Sequence, residues 1–207
     1  MSKPEKDRLD ETDVLAAMRE ERRHLALKFL EKNGAEQDLS NSLGNDASFR
    51  TYYRLKEPAD ALLMDSPAAH EPVEPFVKIA EHLRSLGLSA PEILAKDLEN
   101  NFLIIEDFGD KTFSRLFAAG HNREELYNLA IDVLVKLHND VKSSWVRIPE
   151  YTIKTFIDET GRTLNWYYPI LKGEKPSGAL KEKWVAVWGQ LFDSLPDIEE
   201  TLILRDY

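Results

Sequence analysis

The character of the hydrophobic pattern changes after Gly109, from mainly β runs to mainly helical periods, and that change constrains the fold more than any other feature. Before it, bulky β-forming residues come in short runs. Residues 48–55 alternate charged with bulky side chains, and Ala61-Leu62-Leu63-Met64, Ile93-Leu94-Ala95 and Phe102-Leu103-Ile104-Ile105 follow. Turn residues separate them (Glu57-Pro58-Ala59-Asp60 and Ser89-Ala90-Pro91), so each run predicts a strand. One helix interrupts the series. Phe76, Ile79, Ala80, Leu83 and Leu86 recur at helical spacing and form a single apolar stripe, which Gly87 ends. Beyond Gly109 the helical period takes over, in residues 126–141, 151–168 and 180–195, with a loop at 169–178 and a last β run at Leu202-Ile203-Leu204. At the other end, Thr12 is placed to cap a helix carrying Val14, Leu15, Met18, Leu25, Phe29 and Leu30 on one side, and Gly34 to stop it. The predicted class is α+β. A helical segment (residues 1–37) precedes a β-rich lobe (38–108), and a helical lobe (109–207) is joined to it near residues 106–110.

Charge and composition narrow the partners. With 27 basic and 37 acidic residues the net charge is −10, which is ill suited to a polyanion, so neither nucleic acid nor an anionic membrane is the expected partner. The absence of cysteine removes disulfides, thiolate zinc sites and cysteine nucleophiles, and fits a reducing cytoplasm. The charged first residues lack the apolar stretch of a secretory signal, and no run approaches the roughly 20 apolar residues of a membrane span. A cytoplasmic location is expected, and the oligomeric state is left open.

Three segments can carry chemistry. Leu43-Gly44-Asn45-Asp46-Ala47-Ser48-Phe49 is a small-residue turn entering a strand, able to lay backbone N–H groups against phosphate oxygens or to serve as a plain hairpin loop. Residues 102–109 run from an apolar strand into the acidic, glycine-ended bend Glu106-Asp107-Phe108-Gly109. Free backbone groups there can meet an adenine edge, or the bend is simply an acidic loop. Thr201-Leu202-Ile203-Leu204-Arg205-Asp206-Tyr207 delivers a carboxylate at a strand end, a general base for phosphoryl transfer or an ordinary turn aspartate. His138 reads as structural, and the five histidines have no metal-ligand spacing. No Walker loop, nucleophile elbow or dinucleotide fingerprint is present. Trp145, Trp166, Tyr167, Tyr168, Trp184 and Trp188 read as core and interface aromatics, with Trp166-Tyr167-Tyr168 as an alternative sugar-stacking wall.

Taken in order, these segments resemble the aminoglycoside phosphotransferase family, which has a protein-kinase-like two-lobe fold. The matching stretches are Gly-Asn-Asp-Ala-Ser-Phe-Arg-Thr-Tyr-Tyr-Arg-Leu, Leu-Leu-Met-Asp-Ser-Pro, Leu-Gly-Leu-Ser-Ala-Pro-Glu-Ile-Leu, Phe-Leu-Ile-Ile-Glu-Asp-Phe-Gly, Leu-Val-Lys-Leu-His and Leu-Ile-Leu-Arg-Asp-Tyr, over about residues 38–207. Within the family they are most similar to the bacterial branch that phosphorylates the cell-wall amino sugars N-acetylmuramate and N-acetylglucosamine at the anomeric hydroxyl. The resemblance implies an ATP- and Mg²⁺-dependent phosphotransferase acting on a small-molecule hydroxyl. It implies that Asp46, Ala47, Ser48 and Phe49 cover the ATP phosphates, and that Glu106 and Phe108 present backbone atoms to adenine. It makes Asp206 the catalytic aspartate, which orients the acceptor hydroxyl and takes its proton.

Two departures from the family pattern stand out. The strand that usually supplies a phosphate-pairing Lys or Arg ends here in Met64-Asp65, leaving Arg50 or Arg54 as substitutes and Glu74 or Glu71 as the helix carboxylate. The family's metal ligands are expected beyond Tyr207, so the chain is expected to be a fragment, inactive by itself, of a longer enzyme. The alternatives are a non-catalytic kinase-like nucleotide-binding module and a kinase for an aminoglycoside, choline or homoserine.

Overall fold

The computed structural model describes residues 6–36, 39–43, 48–67, 71–196 and 200–204, with residues 6–12 as backbone alone. The four β runs predicted ahead of Gly109 form one antiparallel sheet: β1 (Thr51–Arg54), β2 (Ala61–Asp65), β3 (Ile93–Asp97) and β4 (Phe102–Glu106), in the order β1-β2-β4-β3. The register pairs Tyr52 with Met64, and Leu63 with Ile104; a bulge lies between Ile93 and Ala95 in β3. Because side chains alternate across a strand, this register sorts the central pair into two apolar faces. Ala61, Leu63, Phe102 and Ile104 face one way, and Met64, Leu103 and Ile105 the other.

Each face is covered by its own helix. α1 (Lys6–Lys32) lays Ala26, Phe29 and Leu30 on the first face, with the Phe29 and Phe102 rings stacked 6.0 Å apart. α2 (Glu74–Ser85) lays Val77 on the second, beside Val73 just ahead of it. Burial of a large apolar side chain of this kind contributes about 1.5–3 kcal/mol. α1 begins ahead of Thr12, since residues 6–11 hold no glycine or proline to interrupt it. Its apolar side is used only near its C-terminal end, and Val14, Leu15 and Met18 are exposed.

α2 ends as its sequence predicts. Gly87 takes φ +71°, its N–H donates to the Arg84 carbonyl at 2.9 Å, and Leu88 N–H donates to the Leu83 carbonyl at 3.1 Å. Its start is held by tertiary contacts. Asn101 (φ 58°), in the β3–β4 turn, accepts from Val73 N–H through Oδ1 at 2.9 Å, and the buried Ser66 hydroxyl donates to the Glu71 carbonyl.

Helices follow: α3 (Phe113–Ala118), α4 (Arg123–Asn139), a 3₁₀ turn (Ser143–Trp145), α5 (Ile153–Arg162), a π-helical turn (Thr163–Tyr167), α6 (Tyr168–Lys172) and α7 (Gly178–Asp193). Thr112, Asn122, Thr152 and Ser177 cap their helices by accepting from backbone N–H groups. Pro169 does not open a loop. It sits in the first turn of α6, where a proline costs no hydrogen bond, and the loop is confined to residues 173–177. Residues 202–204 are not a strand, because a β run needs a neighbour and the sheet has none there among the described residues.

The chain forms two compact units, Met1–Val146 and Arg147–Tyr207. In the second, Phe156 packs edge-on against Tyr151 at 4.4 Å and lies 5.4 Å from Phe192, while Trp184 Nε1 donates to Thr160 Oγ1 at 3.0 Å. Trp166 and Tyr167 project outward from the π turn and are exposed, as is Trp145 in the first unit.

Candidate functional site

The α2-side face of the sheet is not wholly covered. Beyond Phe76 it opens into a cleft of about 500 Å³ within the first unit. Its walls are Leu43, Tyr52 and Arg54 of the β1 side, Leu62 of β2, Phe76 of α2, Ile105 of β4, and the segment 106–110 that follows. The period of two places Tyr52 and Arg54 on the same face of β1, and the pairing of Leu62 with Ile105 sets those two side by side on the cleft floor. A slot with an apolar floor, closed on one side by an extended backbone, suits a flat heteroaromatic ring.

The bend at residues 106–110 is set by its own acidic residues. Gly109 adopts φ +72°, a conformation strained for any other residue, and its N–H donates to Asp107 Oδ1 at 2.7 Å. Arg54 reaches this bend from β1. Its Nε donates to Asp107 Oδ2 at 2.5 Å and its Nη2 to Asp110 Oδ1 at 3.1 Å. These hydrogen bonds from Arg54 hold both carboxyls below the usual carboxylate range, and the two carboxylates raise Arg54 further above its ordinary value. Asp110 also meets Arg115 of α3 at 3.2 Å. The bend is thus latched to the edge strand of the sheet.

The predicted adenine-facing residues lie here. Glu106 N–H is spent on the Glu92 carbonyl at 3.0 Å and Asp107 N–H on the Asp60 carbonyl at 2.8 Å, which leaves the Glu106 carbonyl as its backbone offering. Phe108 N–H meets no hydrogen-bond acceptor among the described residues, and the Phe108 ring is exposed at the cleft. The Glu106 carboxylate is turned to Arg84 Nη1 at 3.3 Å and to Glu92 N–H at 3.1 Å.

The predicted phosphate loop is seen in part. Ser48 Oγ donates to Glu71 Oε2 at 2.7 Å and accepts from Arg50 N–H at 3.1 Å, while Phe49 is exposed. Asp46 and Ala47 lie outside the described residues, as does Asp206. Among the described residues, no cluster of three or more carboxylates or imidazoles is placed to hold a metal ion.

The Met64-Asp65 departure has a structural explanation. Met64 is fully buried between Val73, Val77, Leu103 and Ile105, where a lysine ammonium would lose its water without a partner. Asp65 points to the opposite face and accepts from Arg22 of α1 at 2.6 and 2.9 Å. Arg22 also donates to the Asn100 carbonyl at 2.5 Å and lies 3.9 Å from the Phe102 ring centroid. The Arg22–Asp65 clamp and the Arg54–Asp107–Asp110 latch escape a reading of single segments, because each joins residues far apart in the chain. The signal available for the latch was an Arg on β1 together with an acidic pair flanking a glycine bend.

The phosphotransferase enzyme family matches residues 41–207, and the chain belongs to that family. Among individual proteins, it is similar to the N-acetylmuramate/N-acetylglucosamine kinase of Pseudomonas aeruginosa, 33% identical over 165 residues that make up 79% of this chain and 48% of that protein. The kinase of the same name from Pseudomonas putida is 32% identical over 164 residues, covering 79% and 48%. That from Caulobacter vibrioides is 29% identical over 206 residues, covering 83% and 56%. The chain spans about half the length of the curated relatives it matches.

Proposed function

We propose that this chain forms the nucleotide-binding part of an ATP- and Mg²⁺-dependent kinase whose acceptor is the anomeric hydroxyl of a cell-wall amino sugar. The observation that carries the nucleotide reading is the apolar-floored cleft bordered by residues 106–110, with a carbonyl at Glu106 and a donor at Phe108. Leu62 and Ile105 suit the faces of an adenine ring, and the two backbone groups suit its donor–acceptor edge. The amino-sugar reading rests on the relatives' shared name and on the Leu-Leu-Met-Asp stretch. Asp206 is the proposed base, taking the proton of the sugar hydroxyl as the phosphoryl group is transferred. Mg²⁺, when bound, would neutralise charge on the phosphates. A cytoplasmic location belongs to this proposal, since ATP and recycled sugars meet there.

The test is ADP release with ATP and Mg²⁺ by the protein expressed from its complete gene, with N-acetylmuramate or N-acetylglucosamine as acceptor. Sugar-dependent turnover that Asp206→Asn abolishes is expected. Full turnover in that variant removes Asp206 from its role. The burial of Met64 where the family carries a cation favours one second reading, a binding module without catalysis. Nucleotide binding with no turnover on any acceptor would establish it.

A further inference from the structure

A nucleotide in this cleft needs a cation for its phosphates, and the family position for one is filled by the buried Met64. Of the two arginines in the first strand region, Arg54 is committed to the bend through Asp107 and Asp110. Arg50 is placed differently. It stands just ahead of β1, two residues before Tyr52, and reaches the cleft through its contact with Phe76 rather than by lining it. Its guanidinium lies 5.5 Å from the centroid of Phe76, a cleft-wall ring, and its Nε is 3.1 Å from Glu71 Oε2. That Nε is buried and its N–H is not aimed at the oxygen, so the contact is ionic without being a formed hydrogen bond. The two Nη groups donate to no described residue.

Glu71 is itself held firmly. Its carboxylate accepts from Ser48 Oγ at 2.7 Å, and its carbonyl accepts from the buried Ser66 hydroxyl. Two residues on, Val73 N–H is bound by Asn101. The carboxylate therefore orients Arg50 from one side, and Ser48 joins both residues to the end of the small-residue turn. The planar fork of an arginine can keep Nε toward a carboxylate while its Nη edge meets phosphate oxygens.

We propose that Arg50, oriented by Glu71 and Phe76, is the residue that binds the nucleotide's phosphates, replacing the cation that the second strand lacks. This inference rests on the nucleotide reading above, and it chooses between two candidates that the sequence left equal.

Binding of adenosine and of ADP to the protein from the complete gene, measured by calorimetry in EDTA, separates the two readings. Without Mg²⁺, the preference for ADP over adenosine reports the protein's own cations. The wild-type protein is expected to prefer ADP. Arg50→Ala should cut that preference by about tenfold while leaving adenosine affinity nearly unchanged. Arg50→Gln keeps most of the stem and should show the same loss, which covers the case in which the alanine variant does not fold. Arg54→Ala should weaken adenosine and ADP in similar proportion, because it loosens the bend. A wild-type ADP preference that survives in Arg50→Gln, or that collapses only in Arg54→Ala, overturns the inference and leaves the nucleotide reading standing. Failure of the wild-type protein to bind adenosine or ADP overturns that reading, and this inference with it.

Discussion

The sheet and the helices of the second compact unit solve the burial problem differently. In the sheet, Phe102, Leu63, Met64 and Leu103 are wholly buried, and each face of β2 and β4 has a helix on it. In residues 147–204 only Leu164 and Leu202 are buried among the described hydrophobic residues, while Ile170 is 83% and Trp166 75% exposed. The sheet region has a closed core that can specify one packing. The helices of the second unit are held by ring contacts and caps and leave many apolar side chains exposed. Stability should therefore be concentrated around the sheet.

The strongest test of that contrast is truncation in each region. Phe102→Ala removes a ring that packs on both Phe29 and Arg22, and should cost about 3–5 kcal/mol in urea unfolding. A loss below about 1 kcal/mol would mean that the sheet core is not where the stability resides.

Next in size is the Arg22–Asp65 clamp, which ties α1 to the end of β2. Arg22→Ala leaves a partly buried carboxylate and the Asn100 carbonyl without their donor, and should cost about 1–3 kcal/mol. If α1 is only an appendage, a double-mutant cycle with Asp65→Asn will show no coupling.

A smaller effect is expected from the latch, and it depends on pH. Asp107 has its carboxyl lowered by Arg54, so its folded value lies below its unfolded one. The associated stability is fully present above the unfolded value, about pH 4, and is lost as pH falls through the lower folded value. The counterpart for Arg54, whose value is raised, would be lost only at extreme alkaline pH. Unfolding midpoints compared between pH 6 and pH 3 should fall more steeply in the wild-type protein than in Asp107→Asn. Equal slopes would remove Asp107 from the latch.

The smallest change is expected in the second unit. Ile170→Ser alters an exposed side chain and should shift stability by no more than about 0.5 kcal/mol, measured by the same urea unfolding. A larger loss would show that this surface is buried in solution and would erase the contrast.

Much of the small lobe was legible residue by residue. The stripe from Phe76 to Leu86 is α2, Gly87 closes it, and the runs at 61–64 and 102–105 are the central strands. Where local reading failed, a nonlocal condition decided. Pro169 reads locally as a loop residue, but the π turn before it lets the helix restart with proline in its first turn. Leu202-Ile203-Leu204 has strand composition, yet no strand lies beside it among the described residues. Thr12 has a capping side chain, but the helix had already begun upstream. For the site, the sequence pointed to Glu106 and Phe108, which line the cleft, and to Ser48, which bonds Glu71, but it left Arg50 and Arg54 indistinguishable.

By itself, then, the sequence determined the order of the four strands and α2, the α+β class and the family, because periodicity, turn residues and motif order are local and survive without knowledge of contacts. Only the tertiary structure decided that Met64 enters the core while its neighbour Asp65 turns to α1, that Arg54 latches the bend, and that Arg50 pairs with Glu71 beside Phe76. The physical reason is register. Adjacent residues on a strand face opposite layers, so one step of pairing decides which side chains meet, and partners such as Arg22 and Asp65, 43 residues apart, are chosen by that step alone.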